Sequence, residues 1–226
     1  QFAIITDARR RVKMSLISRS LTPNVSIIDP DMLSTANDKL ILSSAVDALA
    51  HAVESYVSLI AHPLTETLAL KAIHLILENI FPALKDLSVA ATSAGMSFSN
   101  ASLGACHAIA HSLGGFFDTT YGMVHPALLP AVMAYNLPAC ERKSAVIGEI
   151  ILGRRLSSDA QTGQAGIDRL REIFRELGAV VRLREMVDDD AAFPQICEAA
   201  VRDACLLTNP RPATAGDLLA ICREVW

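Results

Sequence analysis

Apolar residues recur at three- and four-residue spacings over 38–60, 65–82, 89–114, 141–152, 163–178 and 190–206. That period belongs to helices that bury one face. Pro63, Pro82, Gly114 and Gly115, Pro138, Gly178 and Pro194 punctuate these segments. The stretch Thr208-Asn209-Pro210-Arg211-Pro212 predicts a turn, because neither proline can donate a backbone hydrogen bond. A last helix is predicted over 214–224 with Thr214 as its N-cap. The start of the chain follows a different rule. FAIIT (2–6) and VSIID (25–29) are short β-branched runs bounded by Asp, Pro and Asn, and VKMSLIS (12–18) is a third such run. These predict strands. The pattern therefore divides the chain into a strand-bearing segment, 1–33, and a helical domain, 34–226, a mainly α protein.

Composition sharpens that division. Half the residues (51%) are apolar and 19% are charged, which suits a buried helical core or a large subunit interface. Residues 87–117 hold no Asp, Glu, Lys or Arg and are long enough to cross a bilayer. They also hold two His, an Asn, six Ser and four Gly, so they read as a buried helix pair and not as a membrane span. The net charge is −4, and the only basic cluster is Arg9-Arg10-Arg11-Val12-Lys13, which gives nucleic-acid binding little support. Five cysteines without a CxxC pair fit free thiols in a reducing cytoplasm. Gln1-Phe2-Ala3-Ile4-Ile5 begins at once in a strand-like run, so we expect no signal peptide, and the absence of an initiator Met leads us to expect a start part-way through a larger protein.

Two pairs at helical spacing carry the candidate chemistry. In SSAVDALAHAVESY (43–56), Asp47 and His51 lie one turn apart on one face, where a carboxylate oxygen and an imidazole nitrogen can converge on a cation. Glu54 shares that face and is placed to orient His51 from behind. In GACHAIAHSLGGFFDTTYGMVHP (104–126), His107 and His111 repeat the spacing among small residues that let neighbouring helices approach. Taken alone, Asp47 and His51 read first as a surface pair, and a buried histidine reads first as a hydrogen-bonded core residue. Together they supply three or four N/O ligands with a position left open for substrate. Tyr121 and His125 are one turn apart if their segment is helical, and either can face the same cavity or pack as core. GxSxG, GxGxxG and GxxxxGK[ST] are all absent from the sequence, and the adjacent Cys106 and His107 point apart on a helix.

DALAHAVESY, the following PLTETLALKAI, GMSFSNASLGACHAIAHSLGGFF and the tail ACLLTNPRPAT together resemble the group III iron-containing alcohol dehydrogenases over nearly the whole chain. The resemblance implies a two-domain, dehydroquinate synthase-like fold. In it a Rossmann-like domain binds NAD or NADP, a helical domain binds a divalent metal, and catalysis occurs between them. Residues 1–33 would then be the terminal strands of an incomplete nucleotide-binding domain, and 34–226 the all-helical metal-binding domain. Asp47, His51 and His107 match three family metal ligands. His111 matches the histidine beside metal and nicotinamide that relays protons, and Phe98 matches a pocket-lining aromatic. The family's fourth ligand is a histidine; Tyr121 stands at that position here, and His125, one turn on, is a substitute ligand. The link Leu84-Lys85-Asp86-Leu87 is also shorter than the family's usual connection.

The implied activity is hydride transfer between NAD(P) and a small alcohol or aldehyde, with Fe2+ or Zn2+ polarising the substrate oxygen. The implied protein is a cytoplasmic homodimer with no nucleic-acid or membrane partner. Tyr121 motivates two alternatives: a degenerate, metal-poor domain that acts as a non-catalytic helical module, and a metal-independent reductase of the same fold.

Overall fold

The computed structural model describes residues 2–7, 12–79, 84–117, 123–187 and 189–226. The first two predicted strands form. β1 (Phe2–Asp7) and β2 (Val12–Ile17) make an antiparallel hairpin, in register from Phe2↔Ile17 to Asp7↔Val12. The predicted strand at 25–29 does not form. The segment is extended between 3-10 turns at Arg19–Leu21 and Pro30–Leu33, and it leaves Val25 79% and Ile27 89% exposed. β-branched residues make an extended backbone comfortable, but a strand also needs a neighbour to pair with. Among the described residues, β1 and β2 pair only with each other.

Helices α1 (Asp38–Val57), α2 (Pro63–Asn79) and α3 (Leu84–Ala101) pack mutually into one layer. Small hydroxyls fasten them. Ser55 and Ser97 share a hydrogen bond at 2.8 Å, Ser97 Oγ donates to the Thr65 carbonyl at 2.9 Å, and Ser58 Oγ donates to the Ala101 carbonyl at 2.5 Å. The charge-free stretch does become a helix pair, α3 and α4 (Ala105–Phe117). It breaks at Ser102, whose φ of 59° is left-handed and whose N–H closes on the Phe98 carbonyl at 2.7 Å. This is the turn by which a helix commonly ends, here made without glycine.

Helix α5 (His125–Asn136) falls in a stretch where no helical period is visible. Every residue from His125 to Met133 is buried, so no polar face alternates with the apolar one, and Pro126 and Pro130 both lie inside it. It packs against α1, α4 and the helices at Asp159–Glu176 and Ala215–Glu224, in the middle of the domain. Helices α6 (Glu141–Leu152) and α7 (Asp159–Glu176) cross with their backbones touching. A Cβ on Gly148 would stand 2.3 Å from the Thr162 carbonyl oxygen, and one on Gly166 would stand 2.4 Å from Gly148 Cα. Helices α8 (Phe193–Ala200) and α9 (Ala215–Glu224) complete the described set. The predicted cap of α9 is present as a capping box between Thr214 and Asp217.

Candidate metal centre

The site is assembled from four helices and one turn. Asp47 and His51 come from the middle of α1, Phe98 from the last turn of α3, His107 and His111 from α4, and His125 from the first position of α5. Asp203 joins them as the N-cap of a 3-10 turn at Ala204–Thr208.

Asp47 Oδ1 lies 3.6 Å from His107 Nε2 and 3.4 Å from His125 Nδ1, and one ligand atom from each of the three residues lies within 4.8 Å of the others. Four donors bound tetrahedrally at roughly 2.1 Å stand about 3.4 Å apart, so this is the spacing of ligands around one small cation. Asp47 Oδ1 is buried and accepts no hydrogen bond among the described residues. A desolvated carboxylate oxygen is costly unless a positive charge answers it. One carboxylate with two or three imidazoles is a donor set suited to Fe2+ or Zn2+. His51 sits on the other side of the carboxylate, with Nδ1 4.0 Å from Asp47 Oδ2. Its ring is sandwiched between Phe98 and His107, with centroids 4.4 Å away on both sides.

The start of α4 explains why His107 is held so firmly. The first N–H groups of a helix have no partner within it. Asn209 Oδ1 accepts from Ala105 N–H at 3.1 Å, Glu54 Oε1 from Cys106 N–H at 2.6 Å, and Glu54 Oε2 from His107 N–H at 3.3 Å. The same Oε2 accepts the His107 ring Nδ1–H at 2.6 Å. Glu54 therefore orients His107, and not His51 as its position on the α1 face suggested. A ring whose Nδ1–H is given to a carboxylate presents its Nε2 lone pair for ligation. Asn209 is itself locked by a reciprocal amide pair with Asn136, at 3.0 and 2.8 Å.

Charge follows from this packing. Burial alone would raise the Asp47 carboxyl, but His51, His125 and His107 outweigh it and hold Asp47 well below the usual carboxylate range. Burial pushes His51 and His125 down to about 3, so both are neutral and ready to donate a lone pair. Burial also opposes the charge on His107, yet Asp47 and Glu54 at its two nitrogens raise it to about 9.

The structure thus brings together Asp47, His107 and His125, sets His51 and Phe98 against them, and places His111 at the next turn of α4, its ring 6.0 Å from that of His107. Tyr121 lies outside the described residues. Two residues escaped the sequence reading. Asp203 meets His111 across 92 residues of chain, and Asn209 sits in the tail that predicts a turn and carries part of the resemblance, with no role of its own in either. No local spacing announces either one.

The fold and its centre define a class: an all-helical domain that gathers a carboxylate and several imidazoles from separate helices around one point. The C-terminal part of the Fe-containing alcohol dehydrogenase family matches residues 41–226. The chain is 34% identical to alcohol dehydrogenase 4 of Saccharomyces cerevisiae over 235 residues, covering 100% of this chain and 61% of that protein. It is 35% identical to the 1,3-propanediol dehydrogenase of Klebsiella pneumoniae over 234 residues, covering 99% and 60%. An alcohol dehydrogenase structure from Oenococcus oeni superposes with a TM-score of 0.94 at 29% identity, covering 100% and 61%. The chain belongs to the iron-containing alcohol dehydrogenase family. It spans about three fifths of the length of the curated relatives it matches.

Proposed function

We propose that this chain is the metal-binding half of an NAD(P)-dependent dehydrogenase that moves hydride between nicotinamide and a small alcohol or aldehyde. The observation that carries the proposal is the convergence, from three helices, of a buried Asp47 carboxylate oxygen with ring nitrogens of His107 and His125, all within 4.8 Å of one another. Asp47, His107 and His125 hold the cation, and His51 is the fourth donor in reach. His125 fills the role that the resemblance assigns to a histidine at position 121. A divalent cation bound there supplies Lewis acidity toward the substrate oxygen. Phe98, stacked on His51, walls the pocket with apolar surface, and His111 takes or returns the proton of the alcohol.

Residues 1–33 belong, on this reading, to the domain that binds NAD or NADP, and 34–226 form the catalytic helical domain. Exposed Ile4, Ile5, Leu16, Ile17, Val25, Ile27 and Met32 are the apolar surface that the rest of that domain and a second subunit would cover. The five free thiols suit a reducing cytoplasm.

Metal analysis tests the proposal without any need for turnover. Protein equilibrated with Fe2+, Zn2+ or Co2+ should bind one ion. Asp47→Ala and His125→Ala should each weaken binding by more than the roughly 10–100-fold typical of losing an outer-shell partner. Full-strength binding by either variant would show that the cation, if bound, sits elsewhere.

A further inference from the structure

We propose that Asp203 is the positioning residue for His111: it holds the imidazole as the Nδ1–H tautomer and so makes Nε2 the nitrogen that exchanges the substrate proton. The second half of this statement rests on the dehydrogenase reading; the tautomer does not.

His111 Nδ1 and Asp203 Oδ2 are 2.7 Å apart, and their side chains are only 4% and 10% exposed. The carboxylate cannot swing away, because its other oxygen, Oδ1, accepts the Cys205 N–H at 2.8 Å and caps the 3-10 turn. Each oxygen therefore has a separate task. An ionised carboxylate can only accept, so Nδ1 must be the donor, and in the neutral ring the lone pair falls to Nε2. Burial pushes the Asp203 carboxyl up, but the hydrogen bonds from His111 and the Cys205 amide outweigh it and keep it below its usual range.

A second cation among His111, Asp203 and Cys205 is the competing reading, since their ligand atoms lie within 4.8 Å of one another. The distances separate the two readings. Asp47 stands 3.4–3.6 Å from its histidine nitrogens, as donors around an ion do, whereas Asp203 and His111 are in direct hydrogen-bond contact. Burial also raises the Cys205 thiol and keeps it protonated, which makes it a poor ligand. The pair is a carboxylate–imidazole dyad. If His111 takes a proton at Nε2, the new positive charge rests against Asp203, and returning that proton restores the starting tautomer.

The test is the tautomer of His111 by long-range 1H–15N correlation on histidine-labelled protein, comparing the wild type with Asp203→Asn. In the wild type Nδ1 should carry the proton. In the variant the Cys205 N–H retains the amide oxygen, so the amide NH2 faces His111, and the proton should move to Nε2. A wild-type ring protonated at Nε2 overturns the proposal, as does a variant whose tautomer is unchanged. If the variant does not fold, the wild-type spectrum alone decides. Metal loading of the same samples tells the two readings apart: absence of a bound ion counts against the dehydrogenase, while the tautomer reports on Asp203.

Discussion

Glu54→Gln removes a charge and one acceptor while keeping the shape of the side chain. The carboxylate now receives three hydrogen bonds from the start of α4, from Cys106 N–H at 2.6 Å, His107 N–H at 3.3 Å and the His107 ring at 2.6 Å. An amide offers one oxygen and one NH2, so whichever way it turns, a donor of α4 meets another donor. Leaving one buried donor unanswered costs about 1–3 kcal/mol, and stability should fall by that amount. Metal affinity should fall separately, because the ring loses the acceptor that aims Nε2 at Asp47. Loss of such a partner costs roughly 10–100-fold, or about 1.4–2.7 kcal/mol. Urea unfolding of the metal-free protein measures the first effect, and calorimetric titration of the folded variant with Zn2+ or Co2+ measures the second. A variant that unfolds earlier yet binds metal with full affinity would refute the orienting role. An unchanged unfolding midpoint would refute the cap.

Gly104→Ala should disturb the same junction, since a Cβ there would stand 2.7 Å from Asn209 Oδ1 and 2.8 Å from Glu54 Oε1. The expected loss is about 1–3 kcal/mol, and a thermal midpoint equal to that of the wild type would contradict it. Metal binding should release about one proton, because His107 is protonated below about 9 and must give up its Nε2 proton to ligate. Affinity should therefore rise about tenfold per pH unit up to that value and then level off, and calorimetry in buffers of different ionisation enthalpy counts the proton. The metal-free fold should be most stable near pH 6.5. The contribution of His107, with its folded value raised, is complete below its ordinary 6.5 and is lost as pH rises through about 9. His51 and His125, with values lowered to about 3, contribute above 6.5 and lose that contribution as pH falls toward 3. A thermal midpoint that stays level from pH 5 to 9 would contradict both assignments.

The two four-residue pairs were legible because a helix stacks such residues on one face, and both pairs do border the centre. What they do there was not legible. A rise of roughly 6 Å separates residues four apart on a helix, enough for one member to meet the candidate ligand cluster while the other turns to a different partner. His111 accordingly pairs with Asp203, which is fixed by the cap of a distant 3-10 turn. Helix α5 stayed hidden for a related reason: a helix buried on every side has no amphipathic period, and its prolines read as breaks. The run at 25–29 failed in the opposite direction, since its side chains favour extension but nothing pairs with it among the described residues.

Glu54 shows why the centre is more than a list of ligands. Asp47 and Glu54 lie two turns apart on α1, and they reach the two nitrogens of one imidazole, Asp47 Oδ1 at Nε2 and Glu54 Oε2 at Nδ1. The ring of His107 thus spans the two carboxylates of α1, and the start of α4 is pinned to that helix by the same residue that sets the tautomer of His107. The Asp47 carboxylate in turn faces His125 at the first position of α5, which is buried over most of its length. A change in the register of α1 would therefore move one proposed ligand, the orienting partner of a second and the cap of a helix together. Glu54 thus pins the start of α4 to α1 and orients the His107 ring with the same carboxylate, which is why Glu54→Gln should lower both the stability of the metal-free protein and its affinity for metal.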